Sequence, residues 1–357
     1  MTDPSVRTAA LDIGGAAIKA AEAGGVAFSL PFEVWRNPSG LSEAIETALR
    51  RLQPFDRLAL TMTAELCDSF GTKREGVLAV LEAAEAARLR LAPESEARIF
   101  TIDGGLVDLE TARAEPLACA AANWLALAIF AAREMGDADR GLAADAGSTT
   151  TDIVATRRGG PIPEGKTDTA RLLAAELVYT GVRRTPVFAV ADRLPYRGRE
   201  CPLAAELFAT MLDAYLLTGD IAESQGFGHP PTADGRPATC SCARDRLARM
   251  ICADRESFDE GDALAAARFL ACEQARRVQA ALERVAAGLD GPPEAAVISG
   301  EGEFLLRRAV AGLWPSCRLL SFSKRWGTEA SKAACAFALA RFPSGWGSER
   351  PRGSGGR

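Results

Sequence analysis

The chain has 357 residues, 48% of them hydrophobic and 25% charged, and a net charge of −5. That length predicts about two domains, the composition is that of an ordinary soluble globular protein, and the acidic balance excludes the basic footprint of a nucleic-acid binder. No apolar run reaches the roughly 20 residues that a bilayer span needs, and Met1–Pro4 opens no basic, apolar signal segment, so a cytoplasmic location is expected.

Taken from the N-terminus, Thr8–Gly14, Ala17–Glu22 and Val26–Pro31 read as three short strands joined by Gly15-Ala16 and Gly24-Gly25 turns. Leu41–Leu52 reads as a helix with Leu41, Ala44, Ile45, Ala48 and Leu49 on one face. Asp56–Thr63 is a buried strand, and a polar cluster follows it: Thr63, Glu65, Asp68, Thr72, Lys73, Arg74 and Glu75. Val77–Leu91 is a helix, Ala97–Ile102 a strand, and Pro116–Arg133 a helix that carries Asn123 and Trp124.

From about Gly141 the pattern starts again. Leu142–Thr156 reads as strand, hairpin and strand, and the polar stretch Pro163–Arg184 follows. Pro202–Leu217 is predicted helical, Gly219–Pro237 a long Gly/Pro/Asp loop, and Ala243–Cys252 and Ala263–Ala287 helices. Glu294–Ser299 is a strand, Gly300–Glu303 opens a helix through Ala311, and Arg318–Phe322 and Thr328–Phe342 close the pattern as strand and helix. The expected division is 1–138 for an N-terminal lobe, 139–342 for a C-terminal lobe with a helical insertion, and 343–357 for a disordered Gly/Ser/Arg-rich tail.

Nine scattered cysteines at this size, with no signal segment, predict buried thiols rather than a disulfide scaffold. The single histidine, His229, lies in the Gly/Pro-rich loop, which excludes His-based triads and multi-His metal sites. General acid–base work falls to carboxylates, Lys or Tyr.

Three stretches carry chemistry. The sequence DAGSTTTDI places Asp145 at the end of a strand, before Gly147, Ser148, Thr149 and Thr150. Glycine permits unusual dihedrals and close approach of a ligand, and amides and hydroxyls around such a turn form a concavity for phosphate oxygens. Asp145 would repel a phosphate unless Mg²⁺ sits between them; alternatively the Ser and Thr simply satisfy their own backbone. A second copy lies upstream: an apolar strand, then Asp12, Gly14, Gly15 and Lys19. The third stretch is Ser299-Gly300-Glu301-Gly302-Glu303. Three such loops in this order resemble the actin-like ATPase fold of sugar kinases, actin and chaperone ATPases, an α/β fold of two lobes around a cleft. The resemblance implies that the first two are phosphate loops and that the third lies near a nucleoside.

The remaining candidates are weighed against ordinary surface roles. Glu65 and Asp68 follow a strand, at the carboxyl end where open α/β sheets bind ligands; they serve as proton acceptors or cation ligands, and Lys73 and Arg74 as anion holders, or all four are a solvated helix cap. Arg183 and Arg184 after Gly181 suggest an anion clamp or plain surface arginines. Tyr179 is a donor or a core tyrosine, and Glu301 and Glu303 are ligands or helix caps.

Together, TMTAELCDSFGTKREG, DAGSTTTDI, EGKTDTARLLAAELVYTGVRRTPV and SGEGEFL resemble the hydantoinase A/oxoprolinase-like family found with tetrahydromethanopterin- and methanofuran-linked one-carbon genes. The resemblance runs from about Ala9 to about Ala340. It departs at Ala17-Ile18, where the family's first loop often carries Asn-Thr. It implies a transferase that joins an aminomethylfuran diphosphate to the phenol of a γ-glutamyl-tyramine or -tyrosine derivative and releases pyrophosphate.

In that reading Asp12 and Asp145 hold Mg²⁺. Glu65 or Asp68 is the base, with Lys73 and Arg74 beside it. Asp12, Gly14, Gly15, Lys19, Gly147, Ser148, Thr149, Thr150, Tyr179, Arg183, Arg184, Gly300, Glu301 and Gly302 bind substrate. The expected partners are the two small molecules, with neither nucleic acid nor membrane, and a homodimer is left open. The alternatives are an ATP-dependent kinase or hydantoinase/oxoprolinase-type hydrolase of the same fold, which alone would need ATP, and a non-catalytic binding module.

Overall fold

The computed structural model describes residues 6–226 and 231–342. His229 and the 343–357 tail lie outside the described residues.

The first half runs β1 (Thr8–Ile13), β2 (Ala17–Glu22), β3 (Ala27–Pro31), α1 (Leu41–Arg50), β4 (Arg57–Met62), α2 (Lys73–Leu91), β5 (Glu96–Phe100), β6 (Leu106–Val107), α3 (Leu109–Ala114) and α4 (Asn123–Glu134). Its sheet has the order β3-β2-β1-β4-β5-β6. β1 pairs antiparallel with β2 and parallel with β4, and β4 is parallel to β5.

The second half repeats the plan with β7 (Arg140–Ala146), β8 (Thr151–Arg157), β9 (Gly160–Pro161), α5 (Asp168–Leu173) and β10 (Leu177–Val178). An insertion follows: β11 (Arg193–Tyr196), β12 (Arg199–Pro202), α6 (Met211–Thr218), α7 (Cys240–Arg249) and α8 (Glu260–Ala286). Then come β13 (Ala295–Ser299), α9 (Glu303–Leu313), β14 (Arg318–Ser321), α10 (Phe322–Trp326), α11 (Thr328–Lys332) and α12 (Ala334–Ala340).

The second sheet has the order β10-β8-β7-β13-β14, with β7, β13 and β14 parallel and β8 antiparallel. With the two-residue strands β6 and β9 left aside and only the strands of each sheet counted, both sheets read 3-2-1-4-5 with the same directions. This duplicated order is the actin-like fold that the sequence predicted.

The central strands β1, β4 and β13 are almost wholly apolar and buried, as strands covered by helices on both faces must be. The two covers are exchanged. α4, at the end of the first half, packs on β7 and β8, whereas α12, at the end of the second, packs on β1 and β2. Between them Phe130, Phe322, Trp326 and Phe337 form one aromatic cluster, with Phe322 and Trp326 4.4 Å apart and Phe130 and Phe337 6.0 Å apart. One apolar cluster thus draws on both halves, between the two that belong to each half alone.

Three predicted elements are corrected. Pro202–Leu217 is not one helix: its start lies in β12, and α6 begins only at Met211, behind a Thr210/Asp213 capping box that sets its first turn. Pro116–Arg133 is two pieces, because Ala121 has φ 46° and stops a helical turn (Pro116–Cys119) before α4 begins. α2 begins at Lys73 rather than Val77, since Thr72 accepts a hydrogen bond from the Glu75 amide at 3.1 Å and caps it. Lys73 and Arg74 therefore stand in its first turn.

Candidate active site between the two hairpins

Each half contributes one hairpin built to the same frame. In the first, Asp12 lies opposite Lys19; in the second, Asp145 lies opposite Asp152. Residues directly opposed on antiparallel strands point to the same face, so each aspartate carries a charged partner at its side.

Asp12 is buried, with Lys19 Nζ 4.0 Å from Oδ2 and Asn123 Nδ2 donating to the same oxygen at 3.4 Å. Its Oδ1 has no hydrogen-bond partner among the described residues. Asp145 is buried and accepts a hydrogen bond from Ser299 Oγ at 2.5 Å. Burial raises both carboxyls, with Lys19 opposing and Asp152 adding to the rise; Asp145 reaches about 6. Burial works to lower Lys19, but Asp12 and Asp145 outweigh it and hold the ammonium charged. Asn123 donates to Asp12, and the next residue, Trp124, lies 4.0 Å under the Arg171 guanidinium, which holds Asp152 opposite Asp145: the two hairpins converge, and Asp12 and Asp145 do not lie on opposite faces of the molecule.

The turns are built differently from expectation. None of Gly14, Gly15 and Gly147 has a positive φ. The amides of Gly14 and Gly147 are used within their own turns, donating to Ala17 O at 3.0 Å and Thr150 O at 2.8 Å. The Ser148 and Thr149 amides have no hydrogen-bond partner among the described residues, and Gly181 packs against this turn, where an added Cβ would lie 2.4 Å from Thr149 N. The third loop is clamped onto it. Gly302 N donates to Ala146 O at 2.8 Å, and Gly300 has φ +92°, where an added Cβ would lie 2.2 Å from Ala146 O. Only glycine fits there.

The polar cluster after β4 divides. Glu65 is buried beside the hairpins, and its Oε2 has no hydrogen-bond partner among the described residues. Burial above all, with Asp168 and Asp12 adding and Lys73 opposing, pushes its carboxyl up to about 7. Asp68 and Arg74 are exposed and lie apart from the buried cluster. Lys73 donates to Asp168 Oδ2 at 2.6 Å and so joins α2 of the first half to α5 of the second.

Arg183 donates to Glu301, fixing the third loop to the segment after β10, so it is not a free clamp. The Arg184 guanidinium rests 4.8 Å over the Trp35 ring, a contact between halves. Tyr179 is exposed rather than core.

Sequence reasoning did not assign Asn123, Asp152, Arg171, Asp168 or Ser299. Asp152 was inside the quoted motif and carried the visible signal: it stands seven residues after Asp145, as Lys19 does after Asp12. Arg171 carried none, because a fully buried arginine looks in sequence like any surface helix cation.

Among the described residues no group of three or more His, Cys, Asp or Glu side chains is spaced to hold a metal on protein ligands alone. Mg²⁺ needs less: one or two carboxylates, its own waters and substrate phosphates. Asp12 with an unpartnered buried oxygen, and Asp145 near the same lysine, fit that requirement. A groove of about 640 Å³ near Phe188, Arg193, Phe269 and Arg277 is lined by none of the residues above.

Residues 56–342 match the hydantoinase/oxoprolinase family. The chain is 30% identical over 334 residues, 93% of its length and 96% of the relative's, to the Methanocaldococcus jannaschii protein named (4-{4-[2-(gamma-L-glutamylamino)ethyl]phenoxymethyl}furan-2-yl)methanamine synthase. It is also 30% identical over 209 residues to the protein of that name from Methanococcus vannielii, covering 55% of this chain and 86% of that one. Among solved structures, the PilM-PilN type IV pilus biogenesis complex is similar at a TM-score of 0.46 and 14% identity, over 95% of this chain and 100% of that one. The fold assignment rests on the repeated strand order, not on so distant a likeness.

Proposed function

The chain belongs to the hydantoinase/oxoprolinase family, and from that premise we propose that it is a transferase building the furan–phenol ether named in its two methanogen relatives. The donor is an aminomethylfuran diphosphate and the acceptor the phenol of a γ-glutamyl-tyramine or -tyrosine derivative. The bond from the furfuryl carbon to the diphosphate oxygen breaks, and pyrophosphate leaves with the electron pair. The phenol oxygen bonds to that carbon, and its proton passes to a carboxylate.

The observation that carries this reading is the meeting of the two Asp hairpins across Asn123, Trp124 and Arg171, beside a buried and unpartnered carboxylate. Lys19 and the Ser148 and Thr149 amides bind and orient the leaving diphosphate, stabilising charge as it develops. Mg²⁺, held by Asp12 and Asp145, supplies charge neutralisation when bound. Glu65, brought to about 7, is the base: about half ionised at neutral pH, and basic enough to draw a proton from a phenol polarised by bond formation. Lys73 and Asp168 close the halves over it and limit competing hydrolysis by water.

Mixing the protein with the furan diphosphate, Mg²⁺ and the two phenols, and reading products by mass, tests this; the ether and stoichiometric pyrophosphate are expected. ADP release from ATP, with no ether formed, would instead establish the kinase or hydrolase alternative.

A further inference from the structure

The segments that leave β3 and β10 back the two turns. In the first half, Phe32 N donates to Ala16 O at 3.2 Å and Val34 N to Gly15 O at 2.9 Å. In the second, Val182 N donates to Gly147 O at 3.1 Å, and the Arg183 and Arg184 amides donate to Ser148 O at 3.1 and 2.9 Å. Residues 180–185 are thus a strap behind the second turn. Contact is closest at Gly181, where an added Cβ would lie 2.5 Å from Ser148 C and 2.6 Å from Gly147 O. Glycine allows backbone to press on backbone there, so a shift of the strap is a shift of the turn.

The strap is fastened to the insertion by a buried amide. Gln274, in the middle of α8, has no exposed surface. Its Nε2 donates to Thr180 Oγ1 at 2.7 Å and to Gly181 O at 2.9 Å, so both amide protons are spent on the strap. Its Oε1 accepts from the Tyr215 hydroxyl of α6 at 2.5 Å, and Tyr215 is equally buried.

The rest of the strap is tied down as well. Thr151, the first residue of β8, donates from Oγ1 to Thr180 O at 2.8 Å. Gly181 N donates to Thr185 Oγ1 at 2.8 Å, and Met211 N of α6 donates to Thr185 O at 2.9 Å. A buried polar group is costly to leave unpaired, and a fully paired network admits one arrangement of its members. Gln274 is the member that joins α6 and α8 to the point where strap and turn touch.

We propose that Gln274 is a positioning residue of the diphosphate site. From α8 it fixes Thr180 and Gly181, and through the contact at Gly181 it sets the Ser148–Thr149 turn whose amides receive the leaving group. This rests on the diphosphate reading above and adds the helices α6 and α8 to what shapes the anion site.

The test measures binding on the full chain. Inorganic pyrophosphate with Mg²⁺, and separately the phenol acceptor, are titrated by calorimetry, and thermal unfolding is recorded without ligand. Gln274→Met keeps the size of the side chain and removes its hydrogen bonds. It is expected to weaken pyrophosphate by roughly 3- to 30-fold and to leave phenol binding at the wild-type level. Val278→Ala, one turn further along α8 in the apolar core, is the stability control. It is expected to lower the melting temperature and to leave pyrophosphate affinity unchanged. If Gln274→Met does not fold, the double variant Q274M/Y215F, which leaves no unpaired tyrosine hydroxyl, is expected to show the same pyrophosphate loss. Wild-type pyrophosphate affinity in the Gln274 variant would overturn this proposal and leave the diphosphate reading standing. So would an equal loss in Val278→Ala, or an equal loss of phenol binding, since either marks general damage to the fold. Absence of pyrophosphate binding in the wild type would overturn both.

Discussion

Glu65 shows how one residue takes on a role through its surroundings. Its backbone is pressed against α2 where Gly76 leaves room, an added Cβ there falling 2.2 Å from Glu65 O. The side chain is thereby fixed in a dry place with one oxygen unpartnered. Its carboxyl, at about 7 against an ordinary 4.5, is raised by folding. Between those values the unfolded chain has released a proton that the folded chain still holds, so Glu65 lowers stability as pH rises through that window. Glu65→Gln should accordingly melt higher than the wild type at pH 8, by at most about 3 kcal/mol of unfolding free energy, with no gain at pH 4. The same variant should lose about 10²- to 10⁴-fold in kcat, and the wild type's acid limb near pH 7 should vanish. An unchanged pH–rate profile in Glu65→Gln would assign the base elsewhere. Nothing in the residue string marked Glu65 over Asp68; burial alone separates them, and burial is a property of how α2 packs.

At the scale of elements, the hairpins were legible because their code is local: an apolar strand, Asp, a Gly-containing turn and a second strand. So was the third loop, whose glycines are forced by its seat on the second turn. Gly300→Ala would combine a strained positive φ with a collision against Ala146 O, costing about 2–4 kcal/mol. A lower melting temperature and weakened Mn²⁺ binding are expected together, since Asp145 Oδ1 lies 2.9 Å from the same added carbon. A stable Gly300→Ala variant with normal Mn²⁺ affinity would show that the loop does not support Asp145. The Pro202–Leu217 misreading has an equally local cause: apolar spacing suggested a long helix, but the capping box at Thr210 decides where one starts. The break at Ala121 left no sequence signal, because a positive φ at alanine is imposed by tertiary packing.

Across the whole molecule, Lys73–Asp168 and Lys166–Asp103 join the halves, as do the Arg184–Trp35 and Arg171–Trp124 stacks. The Lys73–Asp168 pair is partly exposed and is worth no more than about 1 kcal/mol, so it is a guide to closure rather than a source of stability. It nevertheless touches chemistry, because Asp168 raises Glu65 and Lys73 lowers it. Lys73→Met should move the acid limb of the rate profile to higher pH and Asp168→Asn to lower pH, with little change in melting temperature for either. Parallel shifts in the two variants would refute the assignment of that limb to Glu65. Such pairs could not be read from sequence: their members are 95 and 63 residues apart, and each alone looks like a solvated charge.

The exchanged helices carry a last consequence. A half that lends its final helix to its neighbour and receives one in return is not self-sufficient, and two identical ancestral halves would have satisfied each other only as a swapped pair. Fusion of such a pair into one polypeptide accounts for the repeated strand order and for the unbroken aromatic seam. Residues 6–138 expressed alone should then precipitate or pair with themselves, and co-expression with 139–342 should recover a soluble one-to-one complex that binds Mn²⁺. A soluble, monomeric and cooperatively melting 6–138 fragment would refute this history.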